Sequence, residues 1–236
     1  MNIKIKYTPT KLKNVKYNKE SIIKLYDYLK HKNHNNVILY GLKNSGKNIA
    51  IDLCLRKIYP DYYDKTTTTL KNNIYYKYSS IHYHFYFNIK TKIEDLLPII
   101  KEIATCKKFY TDIQYNILIF DNFQNINIIF QESLRKIMEE LSNTKIIIKT
   151  NKINYLINPL KSRCILHCIP STYNKLYKFT EYILNKENYN IPNNLKKFIK
   201  NSENINNLLE DLNIEFFKRC PDNNSNFEII KPLRFN

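Results

Sequence analysis

Lys47 directly follows Gly46 in the octapeptide GLKNSGKN, residues 41–48, and Gly41 and Gly46 are the only two glycines of the 236-residue chain. Average usage of about 7% would supply roughly 16. The spacing satisfies G-x-x-x-x-G-K, a loop that wraps phosphate oxygens in backbone N–H groups at the start of a helix. Glycine tolerates positive φ and lets backbone close on a ligand, and a lysine placed after it reaches terminal phosphates as a point charge. The nucleotide-binding candidates are therefore Gly41, Asn44, Ser45, Gly46, Lys47 and Asn48, with ATP or ADP as the expected ligand. A plain turn holding two incidental glycines is the alternative. Asn48 departs from the pattern, which asks for a Ser or Thr hydroxyl on Mg²⁺. Its amide oxygen sits on a longer side chain, which alters the metal geometry.

A second chemical element lies in ILIFDN, residues 117–122, where an apolar run ends in Asp121. A carboxylate there orders Mg²⁺ or its waters in a phosphate-loop site, or it is simply a strand-end turn residue. The next position calls for a glutamate to activate water. Here it is Asn122, an amide that takes no proton at neutral pH, and losing a general base costs ~10²–10⁴ in rate.

The elements that must position these residues follow from periodicity. Residues 19–31 space Ile22, Ile23, Tyr26 and Leu29 as an amphipathic helix, and NVILY is a short strand buried on both faces. A helix runs on from Lys47 until Pro60. Residues 74–87 are aromatic-rich and alternate in part, which suits a strand or hairpin. A helix is expected over 92–109, a buried strand at 116–120, a helix at 128–141 and a third buried strand at 145–150. From 171 onward the pattern is helical, in YNKLYKFTEYILNKEN, NNLKKFIKNS and INNLLEDL. The residues after Met1 read as a Lys-rich strand-like segment, and those after about 214 as a loosely ordered Asn-rich tail. Strands alternating with helices, then helices alone, give an α/β domain followed by a small α domain.

Thirty-eight Lys and Arg against 21 Asp and Glu leave a charge of +17. That excess favours nucleic acid first, and an acidic partner or membrane surface second. Abundant Asn, Lys, Ile and Tyr match an A+T-rich genome, which also supplies lysine without selection for charge. Five cysteines at 54, 106, 164, 168 and 220 form no CxxC pair and no zinc spacing, so reduced intracellular thiols are expected. No apolar run is long enough for a membrane span, and no signal peptide is evident at Met1.

Residues 130–168, FQESLRKIMEELSNTKIIIKTNKINYLINPLKSRCILHC, resemble the small subunits of replication factor C, the sliding-clamp loader. The family pattern is a Q-x-x-L-R-R-x-M-E helix, a strand ending in Asn, a P-I pair and S-R-C. The chain supplies Gln131, Leu134, Arg135, Met138, Glu139, Asn151, Pro159, Leu160 and Ser162-Arg163-Cys164. KYTP at 6–9 resembles the family's K-Y-R-P, and YHFYFN at 83–88 its Y-H-L-E-V-N strand. The likeness extends over roughly residues 5–212.

The resemblance implies an AAA+ phosphate-loop core with a parallel sheet flanked by helices over 1–168, a helical lid over 169–213, and a tail over 214–236 without a complete collar domain. It implies Asn151 as a polar sensor, Asp121 as a Mg²⁺ residue acting through ordered water, and Arg163 as an arginine finger offered in trans to a neighbour's ATP. Arg135 and Lys136 either face DNA in the ring's channel or solvate their helix, and His82 and His84 are strand residues rather than ligands. The implied partners are other clamp-loader subunits, the sliding clamp and primer–template DNA, with no membrane. The implied location is the nucleus or a viral replication compartment in the cytoplasm. The family's adenine-side Arg is Thr8, its Mg²⁺ hydroxyl Asn48, its catalytic Glu Asn122, and its lid sensor Arg falls at Asn206. These departures agree in implying a subunit that holds nucleotide, hydrolyses it poorly and lends a finger. A DNA-binding scaffold with a vestigial site and a phosphate-loop nucleotide kinase are the rivals. The kinase would need an Arg-rich lid, and residues 171–212 contain no Arg.

Overall fold

The computed structural model describes residues 2–31, 36–60, 66–71, 74–88, 91–105, 116–140, 144–188, 199, 202 and 204–219. Seven strands form one sheet: β1 (Asn36–Tyr40), β2 (Thr67–Lys71), β3 (Ile74–Tyr78), β4 (His82–Tyr86), β5 (Asn116–Asp121), β6 (Thr144–Thr150) and β7 (Cys164–Cys168). Their order is β2-β3-β4-β5-β6-β1-β7. The five from β4 to β7 run parallel, and β2 and β3 extend the edge as antiparallel strands.

Helices cover both faces, so alternate residues of each central strand enter different cores. Val37 and Leu39 of β1, Ile117 and Ile119 of β5 and Ile147 of β6 pack with α2 (Lys19–Lys30) and α3 (Lys47–Ile58). Ile38, Leu118, Phe120, Ile146 and Ile148 pack instead with α4 (Ile93–Thr105) and α5 (Ile128–Glu140). This is why those strands read as continuous apolar runs. The short α6 (Asn158–Lys161) precedes β7. A third core joins α7 (Tyr173–Lys186) to α8 (Ile205–Arg219) through Leu176, Phe179, Ile183, Leu208, Leu209 and Leu212. The expected α/β core, a largely parallel sheet flanked by helices and followed by helices alone, is the one found.

Three details depart from the sequence reading. The segment after Met1 is a helix, α1 (Ile3–Tyr7), not a strand. Alternating Ile and Lys mimic a strand there, but the Asn2 side chain accepts from the Lys4 N–H and caps the turn. Ile3 then buries against α7 and α8, while the Lys4 ammonium pairs with Glu210 at 2.8 Å and that of Lys6 with Glu187 at 2.6 Å. The last helix continues past residue 214 to Arg219. Strands β2 and β7 had no expectation of their own. The expected helix at NNLKKFIKNS falls largely outside the described residues, as do residues 106–109 at the end of the fourth helix.

Lysine is not a residue for a strand buried on both faces, yet β6 carries two. Lys145 and Lys149 are each 1% exposed. The Lys145 ammonium donates to the carbonyls of Leu29 at 2.8 Å and of Tyr28 and His31 at 3.3 Å, closing the C-terminal end of α2, where a cation suits the dipole. Burial pulls its pKa down to about 8. Lys149 lies at the other end of the strand, beside the loop after β1.

Candidate nucleotide site

The loop 41–46 leaves β1 at the carboxyl edge of the parallel strands, where ligands of open α/β sheets bind. Its two glycines meet different demands. Gly41 has φ +151°, and a Cβ there would stand 2.3 Å from the Ile169 carbonyl oxygen. Gly46 has φ +97° with open space around it, so its requirement is conformational. It stands at the N-cap of α3 and carries no side chain to cap the helix, leaving that end open to an anion. Elsewhere among the described residues, positive φ falls on asparagine, at Asn18, Asn44, Asn122 and Asn188. Asparagine tolerates the left-handed region better than other side chains. At these four positions asparagine takes a backbone conformation that glycine commonly fills.

Lys47 is buried at 7% exposure and folds back over its own loop. Its ammonium donates to the carbonyls of Gly41 at 2.8 Å and Leu42 at 2.7 Å. Burial, and then the Lys149 charge, lower its pKa to about 8 against the pull of Asp121. Strand parity places three further groups on the same face. His84 sits level with Ile119, and Asp121 and Lys149 follow Ile119 and Ile147 by two residues. The Lys149 ammonium donates to Asp121 Oδ2 at 2.6 Å, and Asp121 Oδ1 accepts from the Asn122 N–H at 2.8 Å. His84 Nε2 lies buried 3.7 Å from Asp121 Oδ2, with no hydrogen-bond partner among the described residues. Burial opposes ionisation of Asp121, but His84 and the Lys149 ammonium outweigh it and hold its pKa at about 2.

A cleft of 290 Å³ opens over these groups. Asn44, Gly46, Lys47, Asn48, Asp121, Asn122, Asn151 and Asn206 all line it, together with Lys43 and Ile49. The Asn151 N–H is fixed by the Gln124 side-chain oxygen at 3.2 Å. Gly41 and Ser45 underlie the loop, and the Ser45 hydroxyl is 3.5 Å from the Lys47 ammonium. Next to the cleft, Thr8, Pro9, Ile22, Ile169, Phe179 and Leu209 enclose a mostly apolar pocket of only 50 Å³, which Gly46, Ile49 and Asn206 share. That is room for a water or two; a larger ligand requires α7 and α8 to move away from the core.

The chemistry of the donor set does not fit a divalent metal. Both oxygens of Asp121 are engaged, one by an ammonium. Asn48 stands where a hydroxyl would ligate, and among the described residues no group of three or more His, Cys, Asp and Glu could hold a metal ion. The cleft can bind anions through Lys47 and the start of α3, but it presents no carboxylate free to act as a base.

Three expected site residues lie apart from this cleft. Arg163, between α6 and β7, gives its Nε to Glu139 Oε1 at 2.8 Å and its Nη1 to the Pro159 carbonyl at 2.8 Å, with Nη2 also on Glu139. Arg135 reaches the same carboxylate at 3.3 Å, and Lys136 is exposed on α5. Gln131 ties the region together: its amide nitrogen donates to the Tyr155 carbonyl at 3.0 Å, and its oxygen accepts from the Ile157 N–H at 2.9 Å. His82 and His84 lie in β4 as expected, but His84 also faces Asp121. The residue the sequence reading missed is Lys149. Its signal was there, since a lysine inside a run buried on both faces demands a partner.

No family model matches the chain. It is 26% identical over 217 residues to a protein of Acanthamoeba polyphaga mimivirus named as a replication factor C small subunit, covering 85% of this chain and 58% of that protein. It is 24% identical over 208 residues to human replication factor C subunit 3, covering 80% of this chain and 58% of that protein. The chain thus spans about 58% of the length of these curated relatives. Among solved structures, a Thermotoga maritima RuvB variant superposes with a TM-score of 0.57 at 13% identity, covering 91% of this chain and 66% of the RuvB chain. The likeness to RuvB is one of fold. The resemblance to replication factor C small subunits holds over most of the chain.

Proposed function

We propose that this chain is a clamp-loader-type AAA+ subunit acting in DNA replication, which holds ATP or ADP, hydrolyses it weakly or not at all, and supplies Arg163 to a neighbouring subunit's nucleotide. The observation that carries this reading is the division of labour between two surfaces. The cleft gathers Lys47, Asp121, Asn151 and Asn206 but has Asn122 where a base is needed. Arg163 stands outside that cleft, half-exposed, with its guanidinium oriented by Glu139 and Pro159. A guanidinium held in this way suits a phosphate charge developing on another chain, a use of Arg worth ~10³–10⁵ in rate where it operates. Asn151 acts as the polar sensor, residues 169–213 as the lid, and Arg135 and Lys136 as DNA contacts. The partners are other loader subunits, the sliding clamp and primer–template DNA, in the nucleus or a viral replication compartment. No described helix is long and apolar enough to cross a membrane.

The test is ATP turnover by the purified chain and by a complex reconstituted with its natural partner subunits on primer–template DNA. The chain alone is expected to show negligible turnover. Arg163→Ala is expected to lower turnover of the complex at least tenfold without changing its composition. Robust turnover by the isolated chain, or an unchanged rate in the variant complex, refutes the assignment.

One observation favours a second reading. Lys47 bonded to its own loop, beside a pocket of 50 Å³, also describes a DNA-binding scaffold whose nucleotide site is vestigial. Nucleotide affinity separates the two.

A further inference from the structure

Lys149 has no part in the reading above, and its placement is costly. Its side chain is 1% exposed, inside a strand covered on both faces, and its ammonium lies 2.6 Å from Asp121 Oδ2. A buried ammonium persists only when paired and hydrogen-bonded. We propose that the Lys149 ammonium occupies the Asp121 carboxylate that a divalent cation would use, so that the cleft takes up a nucleoside di- or triphosphate as its metal-free anion. The inference rests on the nucleotide-binding reading and specifies the form of the ligand.

Three observations support it. First, the Asp121 carboxylate is already neutralised, with Lys149 on one oxygen and the Asn122 N–H on the other. An incoming Mg²⁺ would have to displace the ammonium, leaving a buried charge unpaired. Second, Mg²⁺ demands oxygen ligands in near-octahedral geometry, while the position after Lys47 offers the longer amide of Asn48. Third, the local charges balance without a metal. Asp121 and Asp52 act electrostatically on Lys149, and Lys47 lies within reach of both Lys149 and Asp121. Before a ligand enters, these two carboxylates and two ammoniums present no excess negative charge to attract a dication. Lys149 itself does not line the cleft, so it serves Asp121 from behind while Lys47 faces the ligand.

The experiment measures binding of a fluorescent ATP analogue to the full chain in EDTA and in excess Mg²⁺, with a parallel Mn²⁺ titration followed by electron paramagnetic resonance. The expected result is a Kd equal within twofold in the two buffers and no stoichiometric Mn²⁺ site. Lys149→Met, which frees the carboxylate, is expected to make Mg²⁺ tighten binding at least fivefold. Tightening of the wild type by tenfold or more on adding Mg²⁺, or a Mn²⁺ site that Asp121→Asn abolishes, overturns the inference and leaves nucleotide binding intact. A folded Lys149→Met chain still indifferent to Mg²⁺ overturns the role given to Lys149. The wild-type comparison decides the question alone if that variant does not fold. Absence of binding in both buffers overturns the nucleotide-binding reading itself, and this inference with it.

Discussion

Gly41 and Gly46 differ in what a side chain would meet. At Gly41 an added methyl collides with backbone, the Ile169 carbonyl oxygen at 2.3 Å, in a segment tied to β1 by the Ile169 N–H on Tyr40. At Gly46 nothing lies within 4 Å, and only the positive φ resists substitution. Gly41→Ala is therefore expected to cost about 2–4 kcal/mol, combining overpacking with a disfavoured backbone. Gly46→Ala is expected to cost about 1–2 kcal/mol, and Gly46→Asn less, as asparagine holds the left-handed region elsewhere in this chain. Chemical denaturation midpoints check the ranking; equal losses for the two alanine variants would refute it. The loop itself was legible from residue types, because few positions tolerate only glycine. The pairing of Lys149 with Asp121 was not. Local sequence shows that a buried lysine needs a partner, but the choice among acidic residues is made by strand order, which sets β5 beside β6.

At the scale of elements, α5 divides its work between faces. Phe130, Leu134, Ile137 and Met138 are buried against the sheet, and Gln131 anchors the segment that leads to Arg163. Glu139 binds both Arg135 and Arg163, so Arg135 is partly committed within the protein. Lys136 is exposed, with no salt bridge among the described residues, and is the stronger candidate for a phosphate contact. Lys136→Ala is expected to weaken primer–template binding by the assembled complex equally across sequences, and to reduce the slope of log affinity against log salt by about 1. An unchanged salt slope would assign Lys136 to solvation of its helix. Periodicity made α5 and the three buried strands legible. It gave no warning of α1, whose identity depends on α7 and α8 offering a surface for Ile3, nor of edge strand β7, which leaves Leu166 46% exposed.

Across the whole molecule, the arrangement brings four sequence-distant segments to one cleft: the loop after β1, the ends of β5 and β6, and the start of α8. Asparagine stands at five of its positions, 44, 48, 122, 151 and 206, and each can donate or accept a hydrogen bond but none can move a proton at neutral pH. The charge of +17 favours the approach of polyanions in general. The cleft so composed offers hydrogen-bonding amides and the Lys47 ammonium, while Arg163 lies outside it, held by Glu139. The 50 Å³ pocket beside the cleft is closed by α7 and α8, to which α1 is bonded through Lys4 and Lys6. The most direct test of a nucleotide-holding subunit is a calorimetric titration of ADP into the full chain and into Lys47→Ala. The account predicts saturable one-to-one binding by the wild type and at least a tenfold loss in the variant. Equal affinities, or no binding by either, would contradict it.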